Sequence, residues 1–154
     1  MTASSDPIAL GLPHRPPFLF LDRVTSLTPG AEACGEKTFS SDDPIFHGHF
    51  PGNPIVPGVI LTEALAQLAG IAGAGSEGRK FLLSAIRSMK FPAAALPGDR
   101  ILLHARKTGG LGGLAQFDAV ARVADTTVAT GQIILNETAS IADADPNGAQ
   151  LSVF

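Results

Sequence analysis

Glu63 is the only ionisable side chain between His49 and Glu77, and it lies in an apolar run whose composition favours helix. A carboxylate among apolar residues is costly unless it is hydrogen-bonded or paired. Gln67 follows four residues later, on the same face of such a helix, and is the candidate supporting neighbour. Two interpretations stay open. In the first, Glu63 lies at a solvated seam or pairs with a basic residue. In the second, it is a carboxyl retained in a pocket as a proton donor.

His49 is the second candidate, because residues 47–58 hold three glycines and three prolines. Prolines fix φ and glycines adopt conformations that other residues avoid, so this loop is stiff and specifically shaped. A histidine held in a rigid loop is a candidate general base. The residues that would shape the loop and position a substrate are Phe50, Pro51, Gly52 and Pro57.

Two alternatives for the histidines remain open. His47 and His49 have the His-x-His spacing of a weak metal motif, for which Glu63 is the available third ligand. The second alternative is that both are structural histidines, hydrogen-bonded to backbone groups.

Gly58 begins the predicted helix and adds a hydrogen-bond donor. The first N–H groups of a helix have no partner inside it, and the helix dipole favours negative charge there. A substrate can also approach the backbone of a glycine closely. The N–H of Gly58 is therefore a candidate donor to a carbonyl oxygen that acquires negative charge.

One helix and several strands must position these residues. The predicted helix covers residues 58–74 and is apolar nearly all round, which is typical of a helix buried on every side. The alternation of apolar and polar side chains over residues 115–123 predicts a strand with one buried face. The simplest architecture is an α+β fold in which an antiparallel sheet wraps around one central helix. The other predicted strands cover residues 18–27, 31–39, 81–91, 99–107 and 126–135, with a flexible connection at 109–113.

The composition excludes several classes of protein. The chain has 154 residues, 45% hydrophobic and 16% charged, with 17 glycines and 12 prolines, which excludes a disordered chain and a coiled coil. A single cysteine excludes a disulfide scaffold, and a net charge of −3 argues against a nucleic-acid partner. No apolar run is long enough for a membrane span. We expect one cytoplasmic domain over residues 1–154, with a loosely attached tail over about 137–154.

The motifs together resemble the β-hydroxyacyl-acyl carrier protein dehydratases of type II fatty-acid synthesis, which have the hot-dog fold. The resemblance covers about residues 12–135 and rests on the combination of motifs. These are Leu12-Pro13-His14-Arg15-Pro16-Pro17-Phe18-Leu19, Asp22-Arg23-Val24, Gly48-His49-Phe50-Pro51-Gly52, Pro57-Gly58-Val59, Glu63-Ala64-Leu65-Ala66-Gln67, Phe91 and Pro97-Gly98-Asp99.

The resemblance implies reversible loss of water from a (3R)-3-hydroxyacyl thioester, giving a trans-2-enoyl thioester, with no metal and no organic cofactor. In this interpretation His49 removes the C2 proton and the Gly58 N–H binds the thioester carbonyl. Glu63 protonates the departing hydroxyl or holds the water that does so. Related dehydratase-isomerases carry Asp at the helix position, so Glu63 indicates the plain dehydratase branch.

The resemblance also implies partners. The substrate arrives on an acyl carrier protein through a phosphopantetheine thioester. The active site lies between the subunits of a homodimer, with the histidine from one and the carboxylate from the other, and such dimers also form trimers of dimers. The candidate docking residues, any of which is otherwise a solvated surface cation, are Arg79, Lys80, Arg87, Lys90, Arg106 and Lys107.

Two other functions are weighed against this one. A hot-dog acyl thioesterase usually has a carboxylate without the Gly-His-Phe-Pro-Gly loop, and that loop is present here. A non-catalytic acyl-carrier-protein binding protein is expected to lack His49 or Glu63, and both are present. The sequence leaves open whether the pathway is fatty-acid synthesis or a related acyl-chain pathway.

Overall fold

Six strands form one antiparallel sheet in the computed structural model, which describes residues 4–75 and 79–138. The strands are β1 (Arg23–Thr28), β2 (Glu32–Lys37), β3 (Lys80–Lys90), β4 (Ile101–Leu111), β5 (Leu114–Val123) and β6 (Thr126–Thr138). Their spatial order is β1-β2-β4-β5-β6-β3, so β1 and β3 are the two edges of the described sheet.

The sheet wraps around helix α2 (Gly58–Ala74), whose bounds are those predicted from the sequence. Leu65 and Leu68 of α2 are fully buried, as are Phe117 of β5 and Ile133 of β6 on the facing side of the sheet. Burial of each such side chain stabilises the fold by about 1.5–3 kcal/mol. A short helix, α1 (Ile45–Gly48), precedes the loop that leads into α2. The α+β architecture predicted from the sequence is confirmed.

Two predicted boundaries are corrected. The first strand begins at Arg23 rather than at residue 18, because residues 18–20 bind a side chain of α2 instead of a neighbouring strand. Gly109 and Gly110 are not a flexible connection, since they pair with Gln116 and Ala115 in the ladder of β4 and β5. The turn is confined to residues 112–113, which both have positive φ.

The prediction of a loosely attached tail over about residues 137–154 is corrected at its first two residues. Glu137 pairs with Phe81, and Thr138 pairs with Lys80, so both residues belong to β6. The remainder of that segment lies outside the described residues. Within the described ranges, no helix combines the length and the apolar character needed to cross a bilayer.

Candidate active site

Glu63 lies one and a half turns into α2 and is held through a single carboxylate oxygen. Its Oε1 accepts a hydrogen bond from Gln67 Nε2 at 3.1 Å and lies 3.4 Å from His14 Nε2. The side chain is 21% exposed, so it reaches solvent without being surrounded by it. No described contact engages Oε2, which leaves that oxygen available to a ligand.

Gln67 is the fixed support of this carboxylate. Its side chain is buried, and its Nε2 donates to Phe18 O at 3.1 Å as well as to Glu63. Its Oε1 accepts from Phe20 N at 3.0 Å. The amide is therefore satisfied at both ends, as a buried polar group requires. The neighbour relation predicted from the four-residue spacing is present.

A cleft of about 380 Å³ opens beside Glu63. Its walls are the segment before β1, one face of α2 and the start of β3, and most of its surface is apolar. That size and character suit an apolar ligand with one polar end. The lining residues that carry polar or charged side chains are His14, Glu63, Gln67, Arg79 and Lys80.

His49 follows α1 and is half-buried, with its ring packed edge-on against Phe50 at 4.6 Å between centroids. Its Nδ1 lies 3.2 Å from the carbonyl oxygen of Ile55. Because a carbonyl only accepts, this contact assigns the hydrogen to Nδ1 and leaves Nε2 as the basic nitrogen. In this tautomer the lone pair of the ring lies on Nε2, away from the Ile55 carbonyl.

The loop after His49 turns sharply, as its composition predicts. Phe50 has φ 53° and Gly52 has φ 86°, and Asn53 N donates to Phe50 O at 2.9 Å to close the turn. Pro51 lies between them and is exposed, whereas Pro57 is buried at the N-cap of α2. The side chain of Phe50 is 60% exposed, so an aromatic ring stands on the surface next to His49.

Gly58 is the first residue of α2, and the hydrogen bonds from the backbone at this end begin at Ile60 N, which donates to Pro57 O. The N–H groups of Gly58 and Val59 are thus the ones without an intrahelical acceptor. The half-exposed ring of Phe91 packs on Gly58: a β-carbon there would lie 3.1 Å from the ring.

Not all of the predicted residues meet within one chain. Glu63 and Gln67 line the cleft, whereas His49 and Gly58 do not. His47 lies exposed in α1, and within residues 4–75 and 79–138 no three His, Cys, Asp or Glu side chains are grouped to hold a metal. Within one chain, Glu63 and its support Gln67 thus line a cleft that His49 and Gly58 do not border.

His14 is the residue that the sequence did not assign. Its ring stacks on Phe18, with centroids 6.2 Å apart and an angle of 22° between planes, and it faces Glu63 across the cleft. Arg15 fixes the local backbone by donating to Leu12 O and His14 O. The available signal was that His14 belongs to the first motif of the resemblance. A motif position alone does not show which side chain a histidine contacts.

The candidate docking cations lie on β3 and β4 and just before β3. Arg79 Nε is 3.6 Å from Glu137 Oε1, and Arg106 Nη2 is 4.0 Å from Asp118 Oδ2. Lys80 Nζ donates to Gly11 O. Arg79 and Lys107 border a second cleft of about 520 Å³ beside the glycine-rich hairpin of β4 and β5.

The sequence of this chain is similar to those of known proteins. The FabA-like domain matches residues 12–132. The 3-hydroxyacyl-[acyl-carrier-protein] dehydratase FabZ of Acetivibrio thermocellus is 42% identical over 125 residues, which are 79% of this chain and 86% of that protein. The protein of the same name from Caldanaerobacter subterraneus subsp. tengcongensis is 41% identical over 126 residues, covering 80% of this chain and 89% of that one.

Solved structures show the same fold at low identity. The dehydratase heterocomplex ApeI:P from Xenorhabdus doucetiae includes a chain that matches with a TM-score of 0.70 and 18% identity, over 88% of this chain and 93% of that one. The uncharacterized protein PH1136 from Pyrococcus horikoshii matches with a TM-score of 0.64 and 13% identity, over 79% and 86%. The hot-dog fold implied by the resemblance is confirmed.

Proposed function

Because this chain belongs to the FabA-like family and is a 3-hydroxyacyl-[acyl-carrier-protein] dehydratase, a hydro-lyase of fatty-acid biosynthesis, we propose which of its groups carry the reaction. The observation that supports the assignment is the anchored carboxyl of Glu63, with Oε2 unengaged at an apolar cleft. The whole chain, residues 1–154, acts as one dehydratase domain in this proposal.

In the proposed elimination, Nε2 of His49 takes the proton from C2 of the 3-hydroxyacyl thioester. The C3–O bond breaks, and the hydroxyl leaves as water after receiving a proton from Glu63. The products are the trans-2-enoyl thioester, water, a protonated His49 and an ionised Glu63. Return of the proton from the imidazole to the carboxylate restores the enzyme, and no metal or organic cofactor takes part.

The enolate-like charge that forms on the thioester carbonyl needs a donor. The N–H of Gly58 at the start of α2 supplies it in this proposal, with the helix dipole in the favourable direction. Phe50, Pro51, Gly52 and Pro57 hold the loop between the base and this donor. Phe91 then borders the carbonyl site, because its ring packs on Gly58.

The separation of His49 from the Glu63 cleft supports a homodimer in which each site takes its histidine from one subunit and its carboxylate from the other. Strand β3 is an edge with exposed apolar side chains, including Leu82, Leu83 and Ile86 at 43%, 42% and 51%. Leu82 and Leu83 also line the cleft, so a second copy seated on β3 would cover the acyl chain as well. Trimers of such dimers are the higher assembly proposed.

An acyl carrier protein delivers the substrate, and its phosphopantetheine arm enters the cleft. The acidic surface of such a partner suits the cations around β3 and β4, of which Lys80 and Arg79 line the cleft itself. We place the reaction in the cytoplasm, where type II fatty-acid synthesis operates.

The test of the assignment is a kinetic assay with 3-hydroxyacyl and trans-2-enoyl thioesters of several chain lengths. His49→Ala and Glu63→Gln are each expected to lower kcat by about 10²–10⁴-fold, the usual contribution of a general base or acid. The matched control is His47→Ala, which removes an exposed histidine two residues from the base and is expected to leave turnover unchanged. Wild-type turnover in both active-site variants contradicts the assignment. Release of free thiol without interconversion of the hydroxyacyl and enoyl forms favours a thioesterase.

Mixing the two inactive variants tests the shared site. After subunit exchange, half of the dimers are mixed, and one of the two sites in each mixed dimer regains both groups if they come from different subunits. Turnover should then recover to about one quarter of the wild-type value. If both groups come from the same subunit, no site is restored and activity stays at the level of the variants.

Substitution on the edge strand tests where the second copy binds. Ile86→Lys is expected to shift the protein toward a monomer in sedimentation and to lower turnover in parallel. Leu111→Lys, at an 86% exposed position at the end of β4, is the control for an added lysine. Unchanged oligomeric state and activity in Ile86→Lys contradict pairing at β3.

A further inference from the structure

We propose that His14 is a positioning residue for Glu63, and that together with Gln67 it restricts the acidic proton to Oε2. The inference rests on the proposed role of Glu63 as the acid. His14 Nε2 and Gln67 Nε2 both lie near Glu63 Oε1, at 3.4 Å and 3.1 Å. These two residues approach from different parts of the chain, one from the segment before β1 and one from α2.

The environment of the ring selects its tautomer. His14 Nδ1 is buried and has no hydrogen-bond partner among the described residues. A hydrogen on Nδ1 would be a buried donor without an acceptor, which is the costly case, whereas an unprotonated nitrogen loses less. The hydrogen therefore belongs on Nε2, the ring nitrogen that lies 3.4 Å from Glu63 Oε1. Stacking on Phe18 holds the ring in this plane.

The two donors make the carboxyl oxygens unequal. A proton on Oε1 would meet the N–H groups of Gln67 and His14, whereas a proton on Oε2 meets neither. Rotation of the carboxyl by half a turn would exchange the oxygens and bring the protonated one opposite both N–H groups, where it is the poorer acceptor. The acid proton is thus held on the oxygen that faces the cleft, where a leaving hydroxyl needs it. The 3.4 Å contact of His14 is long for a hydrogen bond and is of the kind that shortens when substrate binds.

The cationic side chains that line the cleft have different contacts. Lys80 Nζ donates to Gly11 O, and Arg79 lies beside Glu137. Among the basic residues that line the cleft, His14 is therefore the one with a described contact to Glu63. This distinguishes a dedicated support from a general basic surface.

Kinetics on the full chain separate positioning from substrate binding. His14→Phe keeps a ring to stack on Phe18 but removes the donor, and it is expected to lower kcat about tenfold while changing KM less than about twofold. His14→Gln puts an amide N–H near the position of Nε2 and should restore kcat to within about threefold of wild type. The matched control is His104→Phe, because His104 Nε2 also faces a carboxylate, Glu32 Oε2, at 3.0 Å on the sheet. It should leave both constants unchanged.

Three kinetic outcomes overturn the proposal. The first is wild-type kcat and KM in His14→Phe, and the second is an equal loss of kcat in His14→Phe and His14→Gln. The third is an increase in KM alone, since it would make His14 a substrate contact.

A readout independent of turnover is the ¹⁵N spectrum of the histidine side chains. Glu63→Gln should move the Nε2 resonance of His14 and leave that of His104 in place. An unmoved His14 resonance overturns the proposal even if wild-type enzyme is fully active. Conversely, wild-type protein that fails to interconvert hydroxyacyl and enoyl thioesters overturns the proposed reaction, and a moved resonance would still support the His14–Glu63 contact.

Discussion

The ring of Phe91 packs on the Cα of Gly58, so closely that a β-carbon at position 58 would lie 3.1 Å from its Cε1 and Cζ atoms. The contact joins the residue just after β3 to the first residue of α2. An added methyl group would displace the ring by a few tenths of an ångström, and the backbone conformation does not itself call for glycine. The consequence is that the half-exposed Phe91 and the proposed carbonyl donor form one surface.

Gly58→Ala is therefore expected to lower kcat about tenfold, because the displaced ring intrudes on the carbonyl site, while stability changes by less than about 1 kcal/mol. Phe91→Leu in the Gly58→Ala background should recover most of the loss by making room for the methyl group. Kinetics and urea unfolding of the two single variants and the double variant measure this. Strictly additive effects on kcat would contradict contact between the two positions.

Gln67→Leu should destabilise the fold by about 1–3 kcal/mol in urea unfolding, because Phe18 O and Phe20 N lose their buried partner. Turnover should fall as well, since Glu63 loses its donor. Gln132→Leu is the matched control. Its amide donates to Asp118 Oδ1 at 3.1 Å on the half-buried sheet surface, so we expect a loss below about 1 kcal/mol and normal turnover. Equal destabilisation by the two substitutions would refute the special role of Gln67.

Gly131→Ala tests the packing of β3 on β6. A β-carbon at residue 131 would lie 2.7 Å from Met89 Cα, so the irregular segment of β3 between Arg87 and Lys90 must shift. We expect a loss of about 1–3 kcal/mol in the free energy of unfolding. Gly109→Ala, in β4 with nothing within 4 Å of the added carbon, should cost less than about 0.5 kcal/mol. A Gly131→Ala protein as stable as Gly109→Ala contradicts the close packing.

Glu36 gives a pH-dependent contribution to stability. Hydrogen bonds from Arg23 and then from Arg100 lower the pKa of its carboxyl below 4.5. A lowered pKa in the folded state favours folding above pH 4.5, and the contribution is lost as the pH falls through the folded value. Thermal unfolding should therefore show Glu36→Gln with a lower Tm than wild type at pH 6 and a smaller difference at pH 3. The control is Asp125→Asn, in the turn between β5 and β6. A Tm difference that does not shrink in acid contradicts the ion pairs.

The sequence predicted α2 to the residue, because Pro57 and the glycines after Ile71 are local signals of its ends. The sequence predicted the strand boundaries less well where contacts with distant parts of the chain determine whether a segment is a strand. Residues 18–20 have the composition of a strand, yet their backbone binds Gln67. Gly109 and Gly110 have the composition of a turn, yet the ladder with β5 keeps them extended. Propensity is local, and pairing across the sheet overrides it.

In the candidate site, too, local contacts were predicted from the sequence and long-range contacts were not. The Glu63–Gln67 contact follows from helical spacing and was predicted. The contacts of Glu63 with His14 and of Gly58 with Phe91 join segments far apart in the sequence, so no local pattern predicts them. The His49 tautomer depends on the Ile55 carbonyl, which becomes its neighbour only after the loop folds.

One wall of the cleft, the segment before β1, lies outside the sheet. Lys80 holds it at Gly11, Gln67 holds it at Phe18 and Phe20, and Ser5 O accepts from Val24 N. Leu12, Phe20 and Leu21 of the same segment are buried in the hydrophobic core, so packing anchors this wall as well as hydrogen bonds. Amide exchange of Leu12 and Phe20 therefore measures whether the wall opens locally or only when the whole protein unfolds.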